Sequence, residues 1–172
     1  MTSDGELVLC HDAWIGSAEV AAATFRDLPP VMTLGELLDQ CRGRVGLMLE
    51  LKVAGIAERV YEIVQRTEFP DPVVYASFHH DEVRRLRDRD PDASTLALIA
   101  GAPVDRSRFV VDAGATHAGI HVDFADTTFV DALHNAGAKV FVYTANEPAE
   151  IETLIACGVD GIISDYPDRV PR

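Results

Sequence analysis

The chain has 172 residues, 48% of them hydrophobic and 25% charged, which is enough to bury one substantial core and ordinary for a globular protein. Its net charge of −13 argues against nucleic acid or an anionic membrane as a standing partner, and no apolar run approaches the roughly 20 residues of a membrane-spanning helix. Cys10, Cys41 and Cys157 are few, odd in number and widely spaced, which argues against a disulfide framework, and they lack zinc-site spacing. The first residues have neither the basic start nor the apolar core of a secretion signal, so a cytoplasmic location is expected.

Asp4-Gly5 marks a turn. Leu7-Val8-Leu9-Cys10 reads as a short strand ending at His11-Asp12, and residues 13–31, with Pro29-Pro30, read as irregular. Thr33 and Glu36 have capping-box spacing ahead of the helical stripe Leu34, Leu37, Leu38 and Cys41. A strand over 45–51 is followed by a helix marked by Ile56, Val60, Ile63 and Val64. The strand over 73–76 is closed by Ser77-Phe78-His79-His80, and Asp81 is placed to cap the next helix, which carries Val83 and Leu86. Strands over 95–99, 118–122, 139–144 and 159–163 alternate with helices over 108–113, around Phe129, Leu133 and Ala136, and over 148–156. This alternation predicts a parallel sheet covered by helices, with ligands at the carboxyl ends of the strands. Glu50, Lys52, Ser77, His121, Thr144, Asn146, Ser164 and Asp165 all gather there. About six such strands fit an open sheet or an incomplete barrel, since a closed barrel takes eight strands and about 250 residues.

Within Leu47-Met48-Leu49-Glu50-Leu51-Lys52, strand alternation puts Glu50 and Lys52 on one face and Leu49 and Leu51 on the other. Two charges at the end of an apolar strand need a partner, a ligand or a metal. A structural ion pair and a functional site are both open readings.

The ordered motifs are similar to those of the glycerophosphodiester phosphodiesterases. Residues 2–12, Thr-Ser-Asp-Gly-Glu-Leu-Val-Leu-Cys-His-Asp, resemble that family's T-x-D-G-x-x-V-x-x-H-D segment. Met32-Thr33-Leu34-Gly35-Glu36-Leu37-Leu38 resembles its P-T-L-x-E-x-L helix start, and Leu49-Glu50-Leu51-Lys52 its I-E-I-K strand. Ser77-Phe78 resembles its Ser-Phe, Tyr143-Thr144-Ala145-Asn146 its W-T-V-N, and residues 158–167 its G-V-D-G-I-I-T-D-x-P ending. The resemblance implies one domain over 1–172, an α/β fold of TIM-barrel type (β/α)8, N-terminally truncated with about six of eight barrel strands.

It also implies a metal-dependent hydrolase of phospholipid metabolism that releases glycerol 3-phosphate and an alcohol from a small-molecule glycerophosphodiester. By resemblance His11 is catalytic, Glu50 binds the metal, and Lys52, Tyr143 and Phe78 bind substrate. Tyr143 stands where the family usually has Trp. Phosphodiester cleavage suits this set, because a cation neutralises phosphoryl oxygens, imidazole exchanges protons near neutral pH, and oxygen ligands favour Mg²⁺ or Ca²⁺. The family's H-R-G and E-x-D segments, which supply the other histidine and two further metal ligands, do not occur in these residues. Weak cation binding and weak or absent activity are therefore expected. Three readings stay open: a longer natural protein that is a complete enzyme, a non-catalytic binding relative, and a chain completed by a partner. An incomplete barrel leaves two adhesive sheet edges, so a homodimer through them is expected.

His79 and His80 read as a solvated loop pair or helix start, His117 and His134 as surface residues, and His121 as a residue that could face the mouth. Arg84, Arg85, Arg87 and Arg89 read as a solvated helix face. Trp14 is open to a role over the mouth or as a core plug, and Asp165 to one as a loop cap or a catalytic part.

Overall fold

The computed structural model describes residues 1–171; Arg172, the last residue of the expected domain, lies outside them. A hairpin of β1 (Trp14–Ile15) and β2 (Ala18–Glu19) precedes α1 (Leu34–Cys41). Then β3 (Leu47–Glu50), α2 (Ala57–Arg66), β4 (Val73–Ser77), α3 (His80–Arg89), β5 (Ser94–Ile99) and α4 (Arg108–Ala113) follow. The chain closes with β6 (His117–His121), α5 (Thr127–Asn135), β7 (Lys139–Tyr143), α6 (Pro148–Ala156) and β8 (Gly161–Ile162). The six strands β3 to β8 are parallel and pair in chain order, each joined to the next by a crossover. They form a curled half-barrel, and among the described residues β3 and β8 each pair on one side only.

Local sequence explains most element starts. The α1 capping box is complete: Glu36 N–H donates to Thr33 Oγ1 at 3.2 Å, and Thr33 N–H to Glu36 Oε2 at 2.8 Å. Asp126 caps α5 by accepting from Phe129 N–H at 2.7 Å. In α3, by contrast, the cap position is His79, and Asp81 lies inside the first turn, where its charge favours the helix N-terminus without capping it.

Two further expectations change. Residues 7–10 do not join the sheet. They lie antiparallel to 32–34, with Leu9 N–H donating to Met32 O and Leu34 N–H to Leu7 O, both at 2.9 Å, because α1 enters beside them. Residues 13–31 are not wholly irregular, since they hold the β1–β2 hairpin and a short 3₁₀ turn at Phe25–Asp27.

The register puts Met48, Glu50, Val74, Ala76, Leu96, Leu98, Gly119, His121, Phe141, Tyr143 and Gly161 in step on the concave face. The opposite face packs against the helices in two apolar clusters. One is centred on Ile120, Phe129, Leu133, Val140 and Ile151, the other on Leu38, Leu49, Leu51, Val60 and Tyr75. On the concave face Gly119 is required by packing: a Cβ there would sit 2.7 Å from Leu96 Cδ2 and 2.6 Å from Leu98 Cδ2. No helix among the described residues is long and apolar enough to cross a membrane.

Candidate active site

The concave face opens at the carboxyl ends of the strands into a cavity of about 680 Å³. Its lining includes His11, Glu50, Lys52, Phe78, His121, Tyr143 and Asp165, with Met48, Ala76, Leu98, Thr144 and Ile163 between them. The five residues singled out by resemblance, His11, Glu50, Lys52, Phe78 and Tyr143, thus reach one space from the 7–12 segment and the ends of β3, β4 and β7.

At the β3 edge, Lys52 Nζ lies 2.9 Å from Glu50 Oε1. Leu49 and Leu51 point the other way and are buried, so alternation alone aims both charges into the cavity. His11 stands at the open rim, 85% exposed, with Nδ1 2.9 Å from Asp12 Oδ1. A neutral His11 that donates through Nδ1 keeps Nε2 free to accept a proton.

The wall from β4 to β7 is aromatic. Phe78 meets Tyr143 edge-on at 5.9 Å and 89°, and His121 meets Tyr143 at 5.5 Å and 88°. Tyr143 OH donates to Ile99 O at 3.0 Å, and burial, with the Glu50 charge nearby, pushes its pKa up to about 12. Asp123 meets His121 Nδ1 with both its N–H, at 3.3 Å, and its carboxylate, Oδ2 at 3.4 Å. Ser77 is buried and supports the mouth from below: its Oγ donates to Leu51 O at 2.7 Å and accepts from His79 N–H at 2.9 Å.

At the β8 edge, Asn146 organises a loop. Its Nδ2 donates to Asp165 Oδ2 at 2.9 Å, and its Oδ1 accepts from Asp165 N–H at 2.9 Å and Ser164 Oγ at 3.1 Å. The strand-end position of these residues was legible in sequence; their closure into one unit across 18 residues of chain was not. The apolar lining residues Met48, Ala76 and Leu98 were missed, although the alternation that selects Glu50 also selects them.

Outside the site, His134 is a surface residue as expected, with Nε2 2.8 Å from Asp160 Oδ2. His80 opens α3 with His79 at its cap, as the helix-start reading has it, whereas His117 departs from expectation. His80 Nε2 is 2.7 Å from Leu98 O, and the ring packs 5.6 Å from Phe109. His117 is half-buried against Phe141, and that burial lowers its pKa. Arg84, Arg85 and Arg89 of α3 form an exposed ion-paired face with Asp88, Asp81 and Glu62, whereas Arg87 is half-buried and donates to the carbonyls of Gly114 and Ala93. Trp14 is 55% exposed on the hairpin and does not line the cavity.

A divalent cation takes about six oxygen ligands. Among the described residues no group of three or more His, Cys, Asp or Glu is arranged to hold a metal ion. Glu50 is already engaged by Lys52. These residues do not by themselves fit a resident divalent cation.

A curled parallel half-barrel with a polar, aromatic-walled cavity at its strand ends defines a fold of the TIM-barrel class. Within that class the chain belongs to the glycerophosphoryl diester phosphodiesterase family, which it matches over residues 43–169. Glu50, Lys52, Phe78 and Tyr143 fall inside the matched region and His11 outside it. A glycerophosphodiester phosphodiesterase of Bacillus altitudinis is 24% identical across 100% of this chain and 82% of its own length. The uncharacterized protein YqiK of Bacillus subtilis is 26% identical over 121 residues, so the chain spans about half the length of that relative. An Oleispira antarctica phosphodiesterase, solved in complex with the product sn-glycerol-3-phosphate, superposes with a TM-score of 0.87 at 22% identity, covering 99% of this chain and 80% of that one.

Proposed function

We propose that the cavity takes a glycerophosphodiester, and that the chemistry it is built for is hydrolysis to glycerol 3-phosphate and an alcohol. The observation that carries this reading is the convergence of His11, Glu50, Lys52, Phe78 and Tyr143 on one space. The relative crystallised with sn-glycerol-3-phosphate supports it.

Lys52 places a positive charge where a phosphoryl oxygen would lie. His11 Nε2 exchanges a proton with a bridging oxygen. Phe78 and Tyr143 wall the substrate off from water, and Tyr143 acts through its ring because its hydroxyl is held by Ile99 O. Glu50 is the one carboxylate placed beside Lys52, and with that single protein ligand any Mg²⁺ or Ca²⁺ ion there would be held weakly. Hydrolysis by these residues alone is slow or absent.

The test is release of glycerol 3-phosphate from glycerophosphocholine with Mg²⁺ or Ca²⁺, run beside calorimetric titration of glycerol 3-phosphate. Binding with little turnover is expected. Robust turnover overturns the slow-hydrolysis part, and no binding overturns the site.

A second reading is association of two copies through the open sheet edges. It is favoured by β3 and β8 each pairing on one side, which leaves alternate backbone groups of both strands facing outward. A concentration-dependent mass in light scattering is expected, and a monomer at high concentration rejects it.

A further inference from the structure

We propose that Glu82 is a positioning residue for Lys52: together with Ser77 it clamps the exposed loop that carries the lysine, so that α3 sets where the phosphate-binding charge stands. The proposal rests on the phosphodiesterase reading, in which Lys52 meets a phosphoryl oxygen, and deepens it.

The loop lacks support of its own. Leu51, Ile56 and Ala57 are buried, whereas Lys52, Val53, Ala54 and Gly55 between them are exposed. Among the described residues no backbone–backbone hydrogen bond starts or ends within 52–55. The path of the loop is therefore fixed at its two ends.

Both ends are held by side chains of one neighbouring turn. At the first, Ser77 Oγ, where β4 stops, donates to Leu51 O at 2.7 Å. At the second, Glu82 Oε2, in the first turn of α3, accepts from Ile56 N–H at 3.0 Å and Ala57 N–H at 2.9 Å. Ser77 and Glu82 are themselves fully buried and linked to each other. Ser77 Oγ accepts from His79 N–H at 2.9 Å, and His79 O accepts from Glu82 N–H at 3.0 Å. Phe78, between them, lines the cavity, so one turn both supplies a wall residue and holds the lysine loop.

The choice of cap carries the argument further. A Ser, Thr, Asp or Asn at the cap position would satisfy a donor of α2 locally, without burying a carboxylate. The cap position holds Ile56 instead, with no side-chain cap of its own. A buried glutamate 26 residues further along the chain takes its place. A local cap leaves the loop independent of α3; Glu82 ties the two together.

The competing role for Glu82 is stability alone, and phosphate affinity separates the two. Inorganic phosphate is titrated by NMR into the 172-residue chain and its variants, at a temperature where all are folded. Removing a carboxylate by itself favours an anion. Glu82→Ala should nevertheless weaken phosphate binding by about threefold or more, as coupled neighbours do. Glu82→Gln, which keeps an oxygen for Ile56 and Ala57, should restore it. On a Lys52→Met background Glu82→Ala should change phosphate affinity no further, because Glu82 acts through Lys52. Asp160→Ala destabilises elements far along the sheet from β3 and should keep the parent affinity. Where Glu82→Ala fails to fold, Ser77→Ala tests the other end of the loop and should weaken phosphate binding likewise. Unchanged or tighter phosphate binding in the folded variant, an equal loss in Asp160→Ala, or a further loss beyond that of Lys52→Met would each overturn the proposal. Glycerol 3-phosphate binding that is indifferent to Glu82 and Ser77 rejects the positioning role and leaves the diesterase reading standing. A Glu82 effect on phosphate in a chain that binds no glycerol 3-phosphate does the reverse, and a parent chain that binds no phosphate overturns both.

Discussion

The Lys52 ammonium lies 2.9 Å from Oε1 of Glu50, two residues back along the chain, and the two side chains keep 36% and 31% of their surface exposed. A pair this open contributes about 0–1 kcal/mol, because water screens it. Glu50→Gln should therefore lower unfolding free energy by less than about 1 kcal/mol in urea titration. It should also free Lys52, so that calorimetry finds inorganic phosphate bound a few-fold tighter. A loss above about 3 kcal/mol would instead mark a structural pair whose breakage strands a buried charge.

Glu82 is fully buried, and its Oε2 accepts from Ile56 N–H at 3.0 Å and Ala57 N–H at 2.9 Å. It thus caps α2 from a neighbouring helix, while Arg85 approaches Oε1 at 3.6 Å. Glu82→Ala leaves two buried donors unsatisfied and removes a negative charge from a helix N-terminus, so a loss of about 2–4 kcal/mol is expected. Chemical denaturation measures it. A loss under about 1 kcal/mol would show that water replaces the carboxylate.

Asp160 ties three elements: its Oδ2 accepts from Val140 N–H at 2.7 Å and lies 2.8 Å from His134 Nε2, joining α5, β7 and the approach to β8. Partial burial pushes its pKa up, but the Val140 and His134 contacts prevail and hold it below the usual carboxylate value of 3.8. A lowered carboxylate stabilises the fold above its unfolded pKa and loses that contribution as pH falls through the folded value. Asp160→Ala should therefore cost about 1–2 kcal/mol at pH 7. The gap between variant and parent should close below pH about 4, as thermal melts across pH 2–7 would show. A gap that persists at low pH would assign the effect to packing.

Tyr75 and Tyr143 are both pushed up to about 12, chiefly by burial. Their neutral forms favour the fold, so stability is full below the unfolded tyrosine pKa of about 10 and is lost as pH rises through about 12. Unfolding free energy should fall steeply over that interval. Tyr143→Phe should flatten part of the fall, at a cost of about 1 kcal/mol at pH 8 from the lost bond to Ile99 O. An unchanged alkaline slope would show that Tyr143 ionises freely in the folded chain.

The strand–helix alternation, the Thr33–Glu36 capping box and the bounds of α4 and α6 were all legible in sequence, because each is set by spacing or by side chains three or four residues apart. So was the pairing of Glu50 with Lys52 on one strand face. The misread residues share a cause. Leu7 to Cys10 have strand composition, but their partner is the 32–34 segment and not the sheet. His117 looks like a surface residue until Phe141 packs against it from a distant strand.

By itself the sequence determined the fold class, the family motifs and the strand ends that carry polar residues, since these follow from local periodicity and from motifs in a set order. Tertiary structure alone decided that His11, Glu50, Lys52, Phe78 and Tyr143 share one cavity with Asp165, and that Asn146 fixes Asp165. The reason is register: parallel pairing in step brings residues far apart in the chain to one level of one concave face, and no local pattern specifies how strands that pair across a helix will align.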